Sequence, residues 1–219
     1  MVATKIYTYK DDFFVTAFNA NHVTDNYLSW WDDQETTRYT SHGLFPKSKK
    51  DIDSFLDSVG TDKLVWAIYN ILSIEDDQQH IGNISLQEIN FVNRSAELAL
   101  ILDKRYWSKG FGTKAGSLML YHGFEKLNLH RVWLGIVEKN IGMMMLAEKL
   151  GFQKEGVSRQ SIYIEGKYED ITHYGLLRSE WDKIKNNLWE GKYEDITHYG
   201  LLRSEWDKIK NNLWEGKYE

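Results

Sequence analysis

The spacing of apolar residues changes along the chain, and each change marks an element. Phe13 to Phe18 is a short apolar run closed by Asn and Asp punctuation, which predicts a first strand. Between Asn21 and Thr40, Tyr27, Trp30 and Trp31 lie close together with Asp32 and Asp33 behind them. These rings either pin a helix to the core or form a ligand-facing wall, because aromatic faces pack well on sugars and apolar amines. Pro46 and Ser48 introduce a helix, with Ser48 as N-cap and Asp51 three residues on, and Ile52, Phe55, Leu56 and Val59 make its apolar face.

Leu64 to Tyr69, His80 to Ile89 and Ala96 to Leu102 read as strands of a meander, since Asn90 to Arg94 is turn-like. Leu120, Phe124 and Leu127 then fall at helical spacing, and the helix stops near Asn128. Arg131 to Val137 is β-rich. Asn140 to Leu150 returns to helical spacing and stops at Gly151. Gln153 to Ile164 and Tyr168 to Leu177 predict a closing hairpin across Glu165-Gly166, and Leu177, Trp181, Ile184 and Leu188 a last short helix. This mixture predicts an α/β or α+β layer around one central sheet.

The C-terminal pattern repeats without drift. Glu165 to Trp189 recurs letter for letter as Glu190 to Trp214, and a third copy begins at Glu215 to Glu219. Solenoid repeats drift and need about three stacked units to bury a core. The identity of these copies therefore points to a tandem duplication, with Met1 to about Trp189 as the folding unit and 190–219 as an appendage. Tyr193 to Leu202 duplicates a strand, so two identical segments compete for one slot in the sheet. The first copy is expected to win because its hairpin partner is adjacent, leaving the second to be solvated or exchanged with a neighbouring copy as a homodimer contact.

Composition removes whole classes of chemistry. The chain has 219 residues, no cysteine and a formal charge of −5, with its bases scattered among its acids. No disulfide, cysteine-ligated zinc or thiol nucleophile is available, and no basic block marks a nucleic-acid or membrane partner. The start of the sequence is polar and no apolar run approaches the ~18 residues of a membrane span, so a cytoplasmic protein acting on small molecules or protein termini is expected.

One stretch carries the chemistry. Trp107-Ser-Lys-Gly110-Phe-Gly112-Thr-Lys-Ala115 leads from the apolar run at Leu98 to Leu102 into a helix. A glycine-bearing turn into a helix start leaves several N–H groups converging on one spot, which suits a phosphate. No Gly-Lys-Ser/Thr follows, so this is not a nucleotide-triphosphate loop. Arg94-Ser-Ala-Glu97, the Trp107 to Gly112 turn, Leu129-His-Arg131, Asn140 and Glu148-Lys-Leu-Gly-Phe152 stand in order from Ile81 to Leu177. In these pieces the chain resembles the GNAT superfamily of acyl-CoA-dependent N-acyltransferases, in the branch of ribosomal-protein N-terminal, amino-sugar and polyamine acetyltransferases.

The resemblance implies a single mixed sheet of about seven strands with splayed central strands, flanked by about four helices. It implies acetyl-CoA as cosubstrate, its pantetheine arm along Leu100, Ile101 and Leu102 and its diphosphate on the turn at Trp107, Lys109, Gly110, Phe111, Gly112, Thr113 and Lys114. Asn140 would touch the arm or a water. A side chain at Gly112 is expected to fill the phosphate space. Glu97 matches the family position for a base acting through water, or else is a surface carboxylate paired with Arg94; His80, Glu88 and His42 are weaker alternatives. A backbone N–H between Leu100 and Asp103 is the expected oxyanion donor. Trp30, Tyr39 and Glu88 are the expected acceptor contacts.

Two family hydroxyls are missing, with Met143 and Ala147 in their places. The thiolate would then take its proton from water or from Tyr163, Tyr168 or Tyr174. The acceptor expected is a primary amine on an amino-sugar nucleotide, with a ribosomal-protein N-terminus or a polyamine as alternatives. The missing hydroxyls also leave open a non-catalytic acyl-CoA-binding module.

Overall fold

A computed structural model describes residues 6–9, 13–40, 49–60, 62–70 and 80–188. Eight strands form one sheet: β1 (Ile6–Tyr9), β2 (Phe13–Ala17), β3 (Leu64–Asn70), β4 (His80–Asn90), β5 (Ser95–Leu102), β6 (Arg131–Val137), β7 (Gln153–Ile164) and β8 (Lys167–Leu177). Their order across the sheet is β1-β2-β3-β4-β5-β6-β8-β7. Every neighbouring pair is antiparallel except β5 with β6. The strand at Ile6–Tyr9 is the one the polar amino-terminal sequence hid. Its four residues, Ile-Tyr-Thr-Tyr, are too few to stand out, and it is found only by its pairing with Phe13–Thr16.

The helices are α1 (Asp25–Asp32), α2 (Gln34–Thr37), α3 (Lys49–Ser58), α4 (Phe111–Tyr121), α5 (Ile141–Lys149) and α6 (Arg178–Ile184). Thr24 caps α1, accepting from the Tyr27 N–H at 3.2 Å, and Asp33 caps α2 through the Glu35 and Thr36 amides at 2.8 and 3.0 Å. No described helix is long and apolar enough to cross a membrane.

Side chains alternate across the strands, so each face of the sheet buries its own set. On one face Ile84, Leu86, Ala96, Leu98, Val132 and Leu134 meet Ala115, Leu118 and Met119 of α4, Ala147 of α5 and Trp181 of α6. Trp181 is fully buried, stacks on Phe124 at 5.4 Å and donates its indole N–H to Glu125. On the other face Val65 and Ala67 meet Phe18, Tyr27 and Trp30, with Phe55, Leu56, Val59 and Ile101 closing the cluster.

The β7–β8 hairpin turns at Glu165 and Gly166, both with positive φ (48° and 84°), the backbone that a two-residue turn between right-twisted strands requires. Beside β6 and β7 the slot is filled by the first copy of the repeat, Lys167–Leu177. The second copy, His42 and the cap at Ser48 lie outside the described residues.

Candidate active site

The parallel pairing of β5 with β6 covers only Ser95 to Glu97 against Arg131 to Trp133. Beyond that rung β5 stays with β4 as far as Leu102, and β6 stays with β8 as far as Val137. The two central strands therefore part, and a wedge opens between them. Pairing phase decides what faces it. Asp103 donates its N–H to Ile81 O at 2.9 Å, so alternate residues back along β5 spend their backbone groups on β4. Leu100 and Leu102 turn theirs to the wedge, with no strand opposite. By the same alternation, fixed by the Glu138 N–H on Asp170 O at 3.1 Å, Gly135 faces the wedge from β6. An extended chain laid in this gap finds donors and acceptors at strand spacing on both walls.

The expected oxyanion donor narrows accordingly. Asp103 N–H is committed to β4 and Ile101 shares its phase, which leaves Leu100 and Leu102 N–H.

At the open end of the wedge β5 runs into the glycine turn. The Trp107 indole reaches back to donate to Leu102 O at 2.8 Å, so its ring braces the last carbonyl of β5, the floor strand of the wedge. Ser108 and Gly110 both take positive φ (58° and 85°), and Gly110 stands as N-cap of α4 with no side chain capping it. The first intrahelical bond is Lys114 N–H to Gly110 O at 3.1 Å. The Phe111, Gly112 and Thr113 amides thus lead the helix without intrahelical acceptors, at the positive end of its dipole. Lys109 lies over the Tyr106 ring and Lys114 over the Phe111 ring, at 5.3 and 5.5 Å. Both ammonium groups are thereby kept beside the turn.

Gly112 corrects the expectation placed on it. A Cβ there would point inward, 3.2 Å from Leu100 Cδ2, 3.4 Å from Leu146 Cδ2 and 3.6 Å from Leu102 Cδ1. The missing side chain lets the first turn of α4 lie close on β5, so a side chain here would meet leucines of β5 and α5 first. Asn140 caps α5, its Oδ1 accepting from Met143 N–H at 3.2 Å, and its own N–H bonds Val137 O at 2.8 Å. It therefore ends β6 and starts α5 at the wedge's mouth.

Glu97 occupies the last rung before the wedge, opposite Gln87 on one side and Trp133 on the other. Its face of β5 also carries Ala99 and Ile101, the face that α1 to α3 cover. Half-buried, its carboxyl is held above the ordinary carboxylate range first by desolvation and then by the neighbouring Glu88 charge. No ion pair joins it to Arg94. Glu88 is exposed, in left-handed backbone at the irregularity between Gln87 and Asn90.

Trp30 is a core residue and not part of a ligand wall: it is 3% exposed and packs edge-on to Tyr27 and His80. Tyr39 does line a cleft of about 240 Å³ with Arg38, Lys139, Ile164, Glu165, Lys167 and Glu169. Across it Arg38 bonds Glu165 at 3.1 Å and Lys139 bonds Glu169 at 2.5 Å.

His80 is structural. Its Nε2 faces Asn83 Oδ1 at 2.9 Å and Gly82 O at 3.1 Å, both acceptors, which assigns the proton to Nε2. Burial pushes its pKa down to about 4. Of the tyrosines weighed as proton donors, Tyr163 and Tyr168 are exposed near the hairpin tip. Tyr174 is buried opposite Leu134 on β6, and burial followed by the Glu148 charge raises its pKa. Ala147 is fully buried on the core-facing side of α5.

No local pattern marks the Asp103 carboxyl. It is 4% exposed, accepts from the Arg105 amide at 2.9 Å and from Arg105 Nε at 2.8 Å, and also receives Arg105 Nη2. Arg105 pulls its carboxyl below the usual range against the opposing effect of burial.

The profile of the acetyltransferase (GNAT) domain family matches residues 13–153. Probable N-acetyltransferase YjcK of Bacillus subtilis (strain 168) is 38% identical over 47% of this chain and 56% of its own length. Spermidine N(1)-acetyltransferase of Vibrio cholerae is 34% identical over 49% of this chain and 63% of its own length. The chain thus matches a little over half the length of these curated relatives. Among solved structures, spermidine N-acetyltransferase from Vibrio cholerae in complex with CoA and spermine shares the fold, with a TM-score of 0.68 at 21% identity, over 77% of this chain and 97% of that one.

Proposed function

The chain belongs to the GNAT acetyltransferase family, and from that footing we propose that it transfers an acetyl group from acetyl-CoA to a primary amine of a small molecule. The observation that carries this reading is the parting of β5 and β6 beyond the Glu97–Trp133 rung, directly beside a helix start with no capping side chain. Leu100, Leu102 and Gly135 would hold the pantetheine arm by their backbones, and the Phe111 to Thr113 amides with Lys109 and Lys114 the diphosphate. When bound, acetyl-CoA supplies an activated acyl thioester.

The chain's own residues do the rest. Glu97, beside the point where the wedge begins, removes the proton that keeps an incoming ammonium from acting as a nucleophile, directly or through one water. Its raised pKa makes it a stronger base than an exposed carboxylate. Leu100 or Leu102 N–H offers a fixed donor for charge developing on the acyl oxygen. Holding both reactants in one wedge supplies a large part of the rate, because effective molarity is worth about 7–11 kcal/mol. With Ala147 and Met143 lacking hydroxyls, Tyr174 or water returns a proton to the departing thiolate.

For the acceptor, Glu88 and Glu97 favour a polyamine: two neighbouring carboxylates outside any described ion pair suit a flexible polycation. The relatives named as spermidine acetyltransferases agree with this. An amino-sugar nucleotide is the second reading, with Lys167 as a cation at the cleft beyond the Arg38–Glu165 and Lys139–Glu169 pairs. The test is release of free CoA thiol over spermidine, an amino-sugar nucleotide and a basic peptide, with mass spectrometry of the product. Thiol release dependent on one amine is expected. Tight acetyl-CoA binding with no amine-dependent release would replace the enzyme by an acyl-CoA-binding module.

A further inference from the structure

The turn that leads from the floor strand to the glycine cradle also grips the helices covering the opposite face. Arg105, already fastened to buried Asp103, extends Nη2 to Asn26 Oδ1 of α1 at 2.9 Å, and Asn26 Nδ2 donates to His80 O at 3.3 Å. One residue earlier, Lys104 Nζ reaches Asp33 Oδ2 at 2.6 Å and Glu35 Oε2 at 3.4 Å. Asp33 is the N-cap of α2, so the lysine holds the residue that starts that helix. From α2 the chain continues into Arg38, which bonds Glu165 at the hairpin tip. The end of β5 is thus tied to the helix pair, and the segment after α2 to the hairpin tip beside the cleft that Tyr39 lines.

We propose that Arg105 and Lys104 are positioning residues for the acceptor: they fix α1 and α2 on the end of the floor strand, and through them the wall against which the amine binds. Neither need touch the acceptor. The anchor is strong because Asp103 is a carboxylate withdrawn from water, with the Arg105 amide on Oδ1 and the guanidinium's Nε and Nη2 both on Oδ2, which holds the guanidinium in place. From that fixed place the same Nη2 that meets Asp103 Oδ2 also donates to Asn26 Oδ1. Lys104 is half-exposed, and its tie gains from meeting two carboxylates at once.

The kinetic arm of the test rests on the acetyl-transfer reading; a second arm does not. Arg105→Ala and Asn26→Ala cut the same tie from its two ends, and only the first strips a buried charge of its partner. A lost charge-assisted hydrogen bond should raise the KM for the amine by about tenfold or more. The KM for acetyl-CoA should stay within about twofold, because the cradle amides belong to the backbone of α4. Arg105→Lys should recover part of the loss.

Independently of turnover, amide hydrogen exchange across residues 25–37 should accelerate in Asn26→Ala by about tenfold, with α4 unchanged. An Asn26→Ala protein whose two KM values move together or not at all, or whose exchange over 25–37 equals wild type, overturns the proposal. If wild type releases no thiol with any amine, the acetyl-transfer reading fails by itself, and the exchange measurement still decides the clamp.

Discussion

Replacing Gly112 separates two accounts of the glycine turn, one in which the glycine makes room for phosphate and one in which it makes room for a strand. The structure supports the second, since the added Cβ meets Leu100, Leu146 and Leu102 side chains at 3.2, 3.4 and 3.6 Å. For Gly112→Ala, helix propensity gives back about 1 kcal/mol. Against it stands a tight contact with a movable Leu methyl, so the net change should lie within about 1 kcal/mol, or about 3 °C in Tm. Gly112→Leu drives a branched side chain into the same three leucines, which costs about 1–3 kcal/mol by overpacking. Relief comes only by lifting the first turn of α4 off β5, which misplaces the amides of the cradle. Thermal unfolding paired with calorimetric titration of acetyl-CoA reads both effects: the Leu variant should lose stability and about tenfold or more in affinity. Gly110→Ala is the control, because its Cβ meets nothing within 4 Å and the cost at φ +85° is backbone strain, about 1–2 kcal/mol. A Gly112→Leu protein with wild-type Tm and wild-type affinity would refute this packing role.

Glu97→Gln should lower kcat/KM by about 10²–10⁴-fold. In wild type the acid limb should lie above the ordinary glutamate value of about 4.3, because desolvation and Glu88 raise the group that must be ionised; a variant keeping that limb would clear Glu97 of the role. His80 binds fewer protons folded than unfolded between its ordinary pKa of 6.5 and its native value of about 4, so stability should fall as pH drops through that window. The loss approaches about 3 kcal/mol by pH 4, read by urea unfolding against pH, and His80→Gln should flatten it. Deleting residues 190–219 should move Tm by less than about 2 °C, since the strand in the slot and α6 both come from the first copy; collapse of the deletion protein would show that the second copy is needed.

Much of the fold was legible because its signals are local. Gln153 to Ile164 and the segment up to Leu177 announced a hairpin through alternation and a glycine turn, and Gly151 ended its helix in left-handed backbone (φ 84°). The glycine turn was readable for the same reason. The rest depends on contacts that sequence distance conceals. Trp30 looks like a ligand wall until α1 is laid on β3, and Gly112 looks like phosphate space until α4 is laid on β5. Asp103-Lys-Arg105 reads as an ordinary charged turn, and only the fold brings Asn26 and Asp33 to it from the far end of the domain. Register alone shows why Leu100 and Leu102 face the wedge while Ile101 and Asp103 do not.

That alternation allows the most direct test. Titrating ¹⁵N-labelled protein with acetyl-CoA and following backbone amides should give saturable shifts at Leu100, Leu102 and Phe111 to Thr113, with smaller ones at Ile101 and Asp103, whose N–H groups are committed to β4. Saturable binding that leaves Leu100, Leu102 and the first turn of α4 unmoved would contradict the assignment of the wedge and cradle as the acetyl-CoA site.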